Sequence, residues 1–392
     1  MRKKLLWFVC LLLGAGGMAH AQRISPDFLR EKSQEARVLL EQIPVKYYGS
    51  GKGKNFKPRT REIVLAAYSL ERDTVETIKI ETPIVQKKNS FAFTVKTPGY
   101  RVARLSGRGV TRLIFDVADA SGEQMIVLDS RFMHFENKIS PRDLFYAPYA
   151  DSFIQESFIL EGYEYLFRTV REAQNELCAA NVLSRAYPGK RVCEVIPDLW
   201  FATLGLIEQT DDGEFFGRAC VGHVGCDEVA VWKALVHIAR NHEQAFSYSV
   251  SVDGARGFMQ FMNTRRIPTY RSMRARYPEA LLHEDFEKGT ADMKNSIKAA
   301  ACLLDFNLSL LPEAARAQFL ANPKIGGAYG AAAHNGGAGS AQRLYGAVAK
   351  QPSFSWTKFK APRRTVLRET EGFIKKYLRT WDILLDMHAW WQ

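Results

Sequence analysis

Past its first twenty residues the sequence has no run of about 20 apolar residues, so no membrane-spanning helix is expected there. It has no internal repeat and no long low-complexity tract, which argues against solenoid and fibrous architectures. Cysteine is scarce, with six in 392 residues. Acidic residues are outnumbered, 42 against 54 Lys and Arg, leaving a formal net charge of +12. Charged residues make up 24% and hydrophobic ones 46%, a globular and not a disordered balance, and the length allows two or three domains.

The first residues read as a secretory leader. Arg2, Lys3 and Lys4 are the positive region, Leu5–Met18 the apolar one, and Ala19-His20-Ala21 the cleavage site, with Gln22 the first mature residue. The competing reading is an uncleaved anchor. Cys10 lies in the apolar stretch, far upstream of the small-residue site, which argues against a lipid-modified cysteine. Losing the leader lowers the net charge from +12 to +9, still basic enough to favour an anionic surface such as a wall polymer. The Lys and Arg residues read as spread along the chain. Nucleic acid fits the charge equally, but export argues against it. The expectation is an exported protein, periplasmic, wall-associated or secreted, without stable membrane insertion.

Five cysteines remain: Cys178, Cys193, Cys220, Cys226 and Cys302. Export favours pairing, and Cys178 with Cys193 and Cys220 with Cys226 are the shortest closures. The pairing is not fixed by sequence. "CVGHVGC" has a second reading as a metal site through His223, but it offers only three local ligands, so no metal and no cofactor is expected.

The expected fold class is α+β. A leader (1–21) precedes a helix and linker (22–60), a small antiparallel β-rich domain (61–140) and an all-α domain (150–392). "SPDFLREKSQEARVLLEQI" is helical, and "YYGSGKGKNFKPRT" a loop. "VETIKIETPIV", "FAFTVKT", "TRLIFDV" and "EQMIVLD" are β-type runs separated by turn signals. "NKISPRD" marks a boundary. After it, apolar residues recur every three or four positions in "FILEGYEYLFRTVREAQNELCAAN", "EVAVWKALVHIARN", "MKNSIKAAACLLDFNLSLL" and "TEGFIKKYLRTWDILLDMHAWW".

The stretch "NHEQAFSYSVSVDGARGFMQFM" carries the chemistry. With Asp227 as N-cap, Trp232, Val236, Ala239 and Glu243 share one helical face at spacings of four, three and four. A carboxyl beside an apolar wall holds its proton more tightly, because desolvation disfavours the charge. That is what a glycosidic leaving group needs. The bland reading is a helix-end acid in solvent. Ser251, Gly254, Ala255 and Gly257 form a small-residue turn in which Gly254 and Gly257 tolerate positive φ. Gln260 is an amide among apolar side chains, suited to an N-acetyl group or to a satisfied core position.

Glu243, Phe246, Ser251, Gly254, Ala255, Gly257, Met259 and Gln260 resemble the first motifs of the soluble lytic transglycosylase family, E-S-x-x-F and S-x-x-G-A-x-G-L-M-Q, with Phe258 for Leu. Downstream, "AAAHNGGAG" resembles A-Y-N-A-G-x-G through Ala333, Asn335, Gly337 and Gly339. "RETEGFIKKY" resembles E-T-x-x-Y-V through Glu369, Thr370 and Ile374. The set spans about residues 229–378 in the family's order. Three positions depart: Gln244 stands for the Ser after the acid, His334 for Tyr and Phe373 for Tyr.

The resemblance implies a lysozyme-like catalytic domain, similar to goose-type lysozymes, acting on peptidoglycan strands. Its reaction cleaves the β-1,4 bond between N-acetylmuramic acid and N-acetylglucosamine and leaves 1,6-anhydromuramoyl ends. Glu243 is implied as general acid and then base. Ser251, Gly254, Gln260, His334, Asn335 and Glu369 are implied as substrate-binding, with His334 also readable as a packed histidine. Asp253 and Glu369 are the nearest alternative acids, Asp253 being read as solvated. Met259 and Met262 line the groove or pack in the core. Two other functions compete: a hydrolase of the same bond, and a non-catalytic glycan-binding or assembly protein. The β-rich module suits wall binding, a partner in wall or secretion machinery, control of access to the groove, or stabilisation alone.

Overall fold

A computed structural model describes residues 24–50, 57–84, 92–106, 114–136, 140–217, 225–251, 253–351 and 353–391. The leader with its cleavage site, the centre of the Gly/Lys loop, Cys220 and His223 lie outside the described residues. The architecture is α+β, with the chain dividing into two units: one runs to Glu161 and includes Ala239–Asn241, the other holds most of the rest.

The first unit opens with α1 (Pro26–Gln42), where Ser25 caps the helix by accepting from the Phe28 amide at 3.1 Å and Pro26 fills the first turn. Leu29, Ala36 and Leu40 make its buried stripe, which packs on a sheet. The sheet contains β1 (Tyr47–Ser50), β2 (Lys57–Ser69), β3 (Thr74–Pro83), β4 (Thr94–Val95), β5 (Tyr100–Ser106), β6 (Ile114–Asp119), β7 (Gln124–Glu136) and β8 (Ser140–Phe145). All pairings are antiparallel, in the order β4-β3-β2-β7-β6-β5, with β1 on β2 and β8 on β7. The centre is β2, where Ile63 faces Ile80 on one side and Phe132 on the other. Ile63–Ala67 are all fully buried. Beneath, Asp129 pairs with Arg37 at 2.6 Å. Burial pushes its carboxyl above the ordinary range, against the pull of Arg37 and Arg240.

The second unit is helical. Its elements are α2 (Glu156–Ala179, whose first turns are counted with the β unit), α3 (Val192–Val195), α4 (Asp198–Glu208), α5 (Asp212–Phe215), α6 (Cys226–Asn241) and α7 (Thr269–Arg276). There follow α8 (Phe286–Ala291), α9 (Met293–Ser309), α10 (Glu313–Ala321), α11 (Pro323–Gly336), α12 (Ala338–Val348) and α13 (Arg368–Trp391). The core gathers α4, α9, α11 and α13. Close approach requires glycine in α11: a Cβ on Gly327 would meet the Tyr377 hydroxyl at 2.1 Å. Asp305, fully buried on α9, accepts from the Arg185 amide (2.6 Å), the Tyr277 hydroxyl (2.7 Å) and Ser184, which ties the 184–186 loop to the core. Among the described residues no helix is long and apolar enough to cross a membrane.

Cys178 and Cys193 form a disulfide across a sequence separation of 15, while Cys302 is free and buried. A loop of that length is worth about 3 kcal/mol in the chain-entropy account. Replacing both by Ser is therefore expected to lower the unfolding free energy by about 3 kcal/mol, read by chemical denaturation. Dithiothreitol should lower the wild type to the same midpoint and leave the double variant unchanged.

Candidate functional site

Glu243 stands where α6 ends, though not on the helical face expected. Trp232, Val236 and Ala239 are buried in sequence order along α6. The helix stops at Asn241 because His242 takes φ 46° and ψ −122°, and Glu243 falls in a single 3₁₀ turn, exposed. The helix thus ends two residues too early to carry the acid onto the apolar stripe. Its carboxylate makes no hydrogen bond or ion pair with a described residue, and its backbone carbonyl accepts from Ser247 Oγ at 3.1 Å. Nearby, Tyr165 stacks on His242 with ring centroids 4.9 Å apart. Burial, and next the charge of Glu243, raise the Tyr165 phenol above its usual range. Asp227 is not the N-cap of α6. Gly225 holds that position, and Asp227 in the first turn pairs instead with Arg379.

The Gly-rich turn closes as its composition requires. The Ser251 amide donates to the Ala255 carbonyl at 2.8 Å, and Ser251 Oγ accepts from the Ala255 amide at 3.0 Å. Gly254 has φ +87° and Gly257 φ +74°. At Gly257 a Cβ would lie 1.9 Å from the Thr290 carbonyl oxygen, so only glycine fits. Asp253 is exposed, Met259 fully buried and Met262 half-buried. Gln260 adopts φ +47° and donates through Nε2 to the Gly257 carbonyl at 2.7 Å and to Ser249 Oγ at 3.3 Å. Its donor is engaged by the turn, and its Oε1 makes no hydrogen bond with a described residue.

His334 lies near the end of α11 with a side chain only 7% exposed. Its Nε2 is 3.2 Å from the Met259 carbonyl and 3.2 Å from Glu208 Oε1. Both are acceptors, so Nε2 carries a proton, while Nδ1 is buried with no hydrogen-bond partner. The ring stacks on Phe373 at 6.3 Å. Next to it, Asn335 Oδ1 accepts from the Thr370 hydroxyl at 2.7 Å, and Thr370 is 1% exposed. Glu369 is exposed and makes no hydrogen bond or ion pair with a described residue.

Three stretches far apart in sequence, 243–260, 334–335 and 369–370, are thereby joined in one unit. The Phe246 ring stacks on Phe258 at 5.9 Å, Met259 meets His334, and Asn335 meets Thr370. Ser251, Gly254, Gln260, His334, Asn335 and Glu369 all lie on these segments, with the Glu243 turn entering through Phe246.

No family model, curated protein or solved structure matches this chain.

Three participants are missing from the residues named by sequence. Glu208 and Gln209 end α4; Gln209 Nε2 donates to the Gly257 (3.1 Å) and Phe258 (2.8 Å) carbonyls. Lys376, 4% exposed, closes the same helix end by donating to the Ile207 and Thr210 carbonyls at 3.1 Å. Glu208 follows Trp200 and Leu204 at steps of four, the same signal that singled out Glu243. Among the described residues no group of three or more His, Cys, Asp or Glu is placed to hold a metal ion.

The Thr370–Asn335 bond makes a direct prediction. Thr370→Val keeps the shape and removes the hydroxyl, so it is expected to cost about 1–2 kcal/mol in urea unfolding. It also frees the Asn335 side-chain amide.

Proposed function

We propose that the helical unit is a lysozyme-like lytic transglycosylase acting on peptidoglycan, with Glu243 as its proton-transfer residue. The observation that carries this reading is the joining of the Glu243, Gly-turn, Asn335 and Thr370 segments through Phe246–Phe258, Met259–His334 and Asn335–Thr370. Each amide has one half engaged and one open. Gln260 offers Oε1 to an acetamido N–H, and Asn335 offers Nδ2 to an acetamido carbonyl.

Glu243 gives its proton to the glycosidic oxygen as the C1–O bond breaks. The C6 hydroxyl of the same sugar then attacks C1, its proton passes to the Glu243 carboxylate, and a 1,6-anhydro ring closes. No external water enters, because the nucleophile is held beside the reacting carbon. The free chain leaves Glu243 in solvent. The loss of water that keeps a carboxyl protonated would come from the glycan strand itself as it covers the turn.

A non-catalytic glycan-binding role is the second reading, and the exposure of Glu243 together with Gln244 and His334 favours it. Digestion of purified sacculi followed by mass spectrometry separates the readings. Anhydro ends, lighter by one water than reducing ends, are expected. Reducing ends would mean a hydrolase, and sacculus binding without release would mean a binding protein.

A further inference from the structure

Lys and Arg are spread along the chain as expected, but in one stretch the acids that would balance them are missing. Residues 314–368 contain nine Lys and Arg and not one Asp or Glu. Within that stretch an open cleft of about 590 Å³ lies between α12 and the 362–365 loop. Its cations are Arg343, Lys350, Arg363 and Arg364, and no acid lines it. None of the four pairs with a carboxylate among the described residues. All four are exposed to solvent. Arg343 is pinned by Nε donating to the Thr365 carbonyl and Nη2 to Ser340 Oγ, both at 3.1 Å. Arg364 is kept at φ +62°, a strained backbone for a residue with a side chain.

We infer that this cleft is an anionic subsite that takes the carboxylates of the peptide attached to the glycan strand. The inference rests on the proposed function. Guanidinium forks match planar carboxylates, and unpaired cations around a concave wall focus the field on an incoming anion. The volume is that of a small-ligand pocket. Chain continuity argues for an anion carried by the sugar strand and against a separate polyanion. The cleft is built on α12, which starts three residues after Asn335, and on the loop that leads into Thr370, and the Asn335–Thr370 bond closes the two ends together.

The test uses the full chain carrying Glu243→Gln, so that strands are not consumed. Binding is measured by calorimetry to peptide-bearing glycan strands and to strands of equal length stripped of peptide. The double substitution Lys350→Gln/Arg363→Gln, at two exposed positions, is expected to weaken peptide-bearing strands about tenfold and to leave stripped strands unchanged. The preference of the parent for peptide-bearing strands should also shrink as salt rises. Equal loss on both strands would reduce the cleft to general attraction, and no loss on either would remove it from recognition. Displacement of peptide-bearing strands by millimolar inorganic phosphate but not by free stem peptide would reassign it to phosphate. If the parent binds neither strand, the proposed function fails along with the subsite.

Discussion

Glu243→Gln is expected to cut the release of anhydro-ended muropeptides by about 10³-fold or more while leaving the fold and strand binding intact. The amide has the size of the carboxyl but neither gives nor removes a proton. General acid–base assistance contributes about 10²–10⁴ to a proton-transfer step, and in the proposed reaction one group serves twice. Stability should hold, because the side chain is exposed and makes no hydrogen bond or ion pair with a described residue. Surface changes of that kind usually stay within about 0.5 kcal/mol. The measurement is muropeptide mass spectrometry against time, with thermal unfolding alongside. Glu208→Gln is the companion. It disturbs the contact with His334, 3.2 Å away, and should act mainly through the setting of that ring. If Glu208→Gln silenced the protein and Glu243→Gln did not, the proton donor would be the acid at the end of α4.

Much of the helical unit was legible because apolar residues recur every three or four positions along its longest helices. The α2, α6, α9 and α13 runs each showed recurrence at three and four, and each forms a helix within two residues of the span read. The β unit was legible where one strand face meets solvent. The run from Thr74 to Pro83 alternates in burial along much of its length and was found as a strand. Its central strand was not singled out. Ile63–Ala67 is buried on both faces, so the alternation that marks a half-buried strand is absent. For α4 the same holds in helical form: residues 200–207 are all buried, leaving no polar face to set a period.

The candidate site was legible wherever a residue type is demanded by backbone geometry. Gly254 and Gly257 do take positive φ. It was less legible where function depends on what a side chain meets. Periodicity carried Glu243 onto an apolar face, but one backbone rotation at His242 takes it off again, and no spacing rule foresees that rotation. Nor does local sequence say that Glu208 will meet His334 across 126 positions, or that the Gln260 donor will be used within its own turn.

Gly257→Ala should be the most damaging single-methyl change in the site, and its comparison with Gly254→Ala separates two causes. Both glycines sit at positive φ, +74° and +87°, where a β-carbon costs about 1–2 kcal/mol. At Gly254 nothing lies within 4 Å of an added Cβ, so that cost stands alone. At Gly257 the Cβ would be 1.9 Å from the Thr290 carbonyl, and backbone must move. Overpacking of that kind adds about 1–3 kcal/mol. A total near 3 kcal/mol corresponds to a fall in Tm of about 6–12 °C for a unit of this size, against about 2–8 °C for Gly254→Ala. The Gly257 carbonyl also anchors Gln260 Nε2, the Gln260 amide and Gln209 Nε2, at 2.7, 3.1 and 3.1 Å. Its displacement therefore reaches the amide proposed to read the sugar, and strand affinity should drop about tenfold or more. Differential scanning calorimetry and strand binding on the two variants decide the matter. Equal effects would mean that the turn gives way at Thr290 and that positive φ alone, not close packing against α8, fixes glycine at both positions.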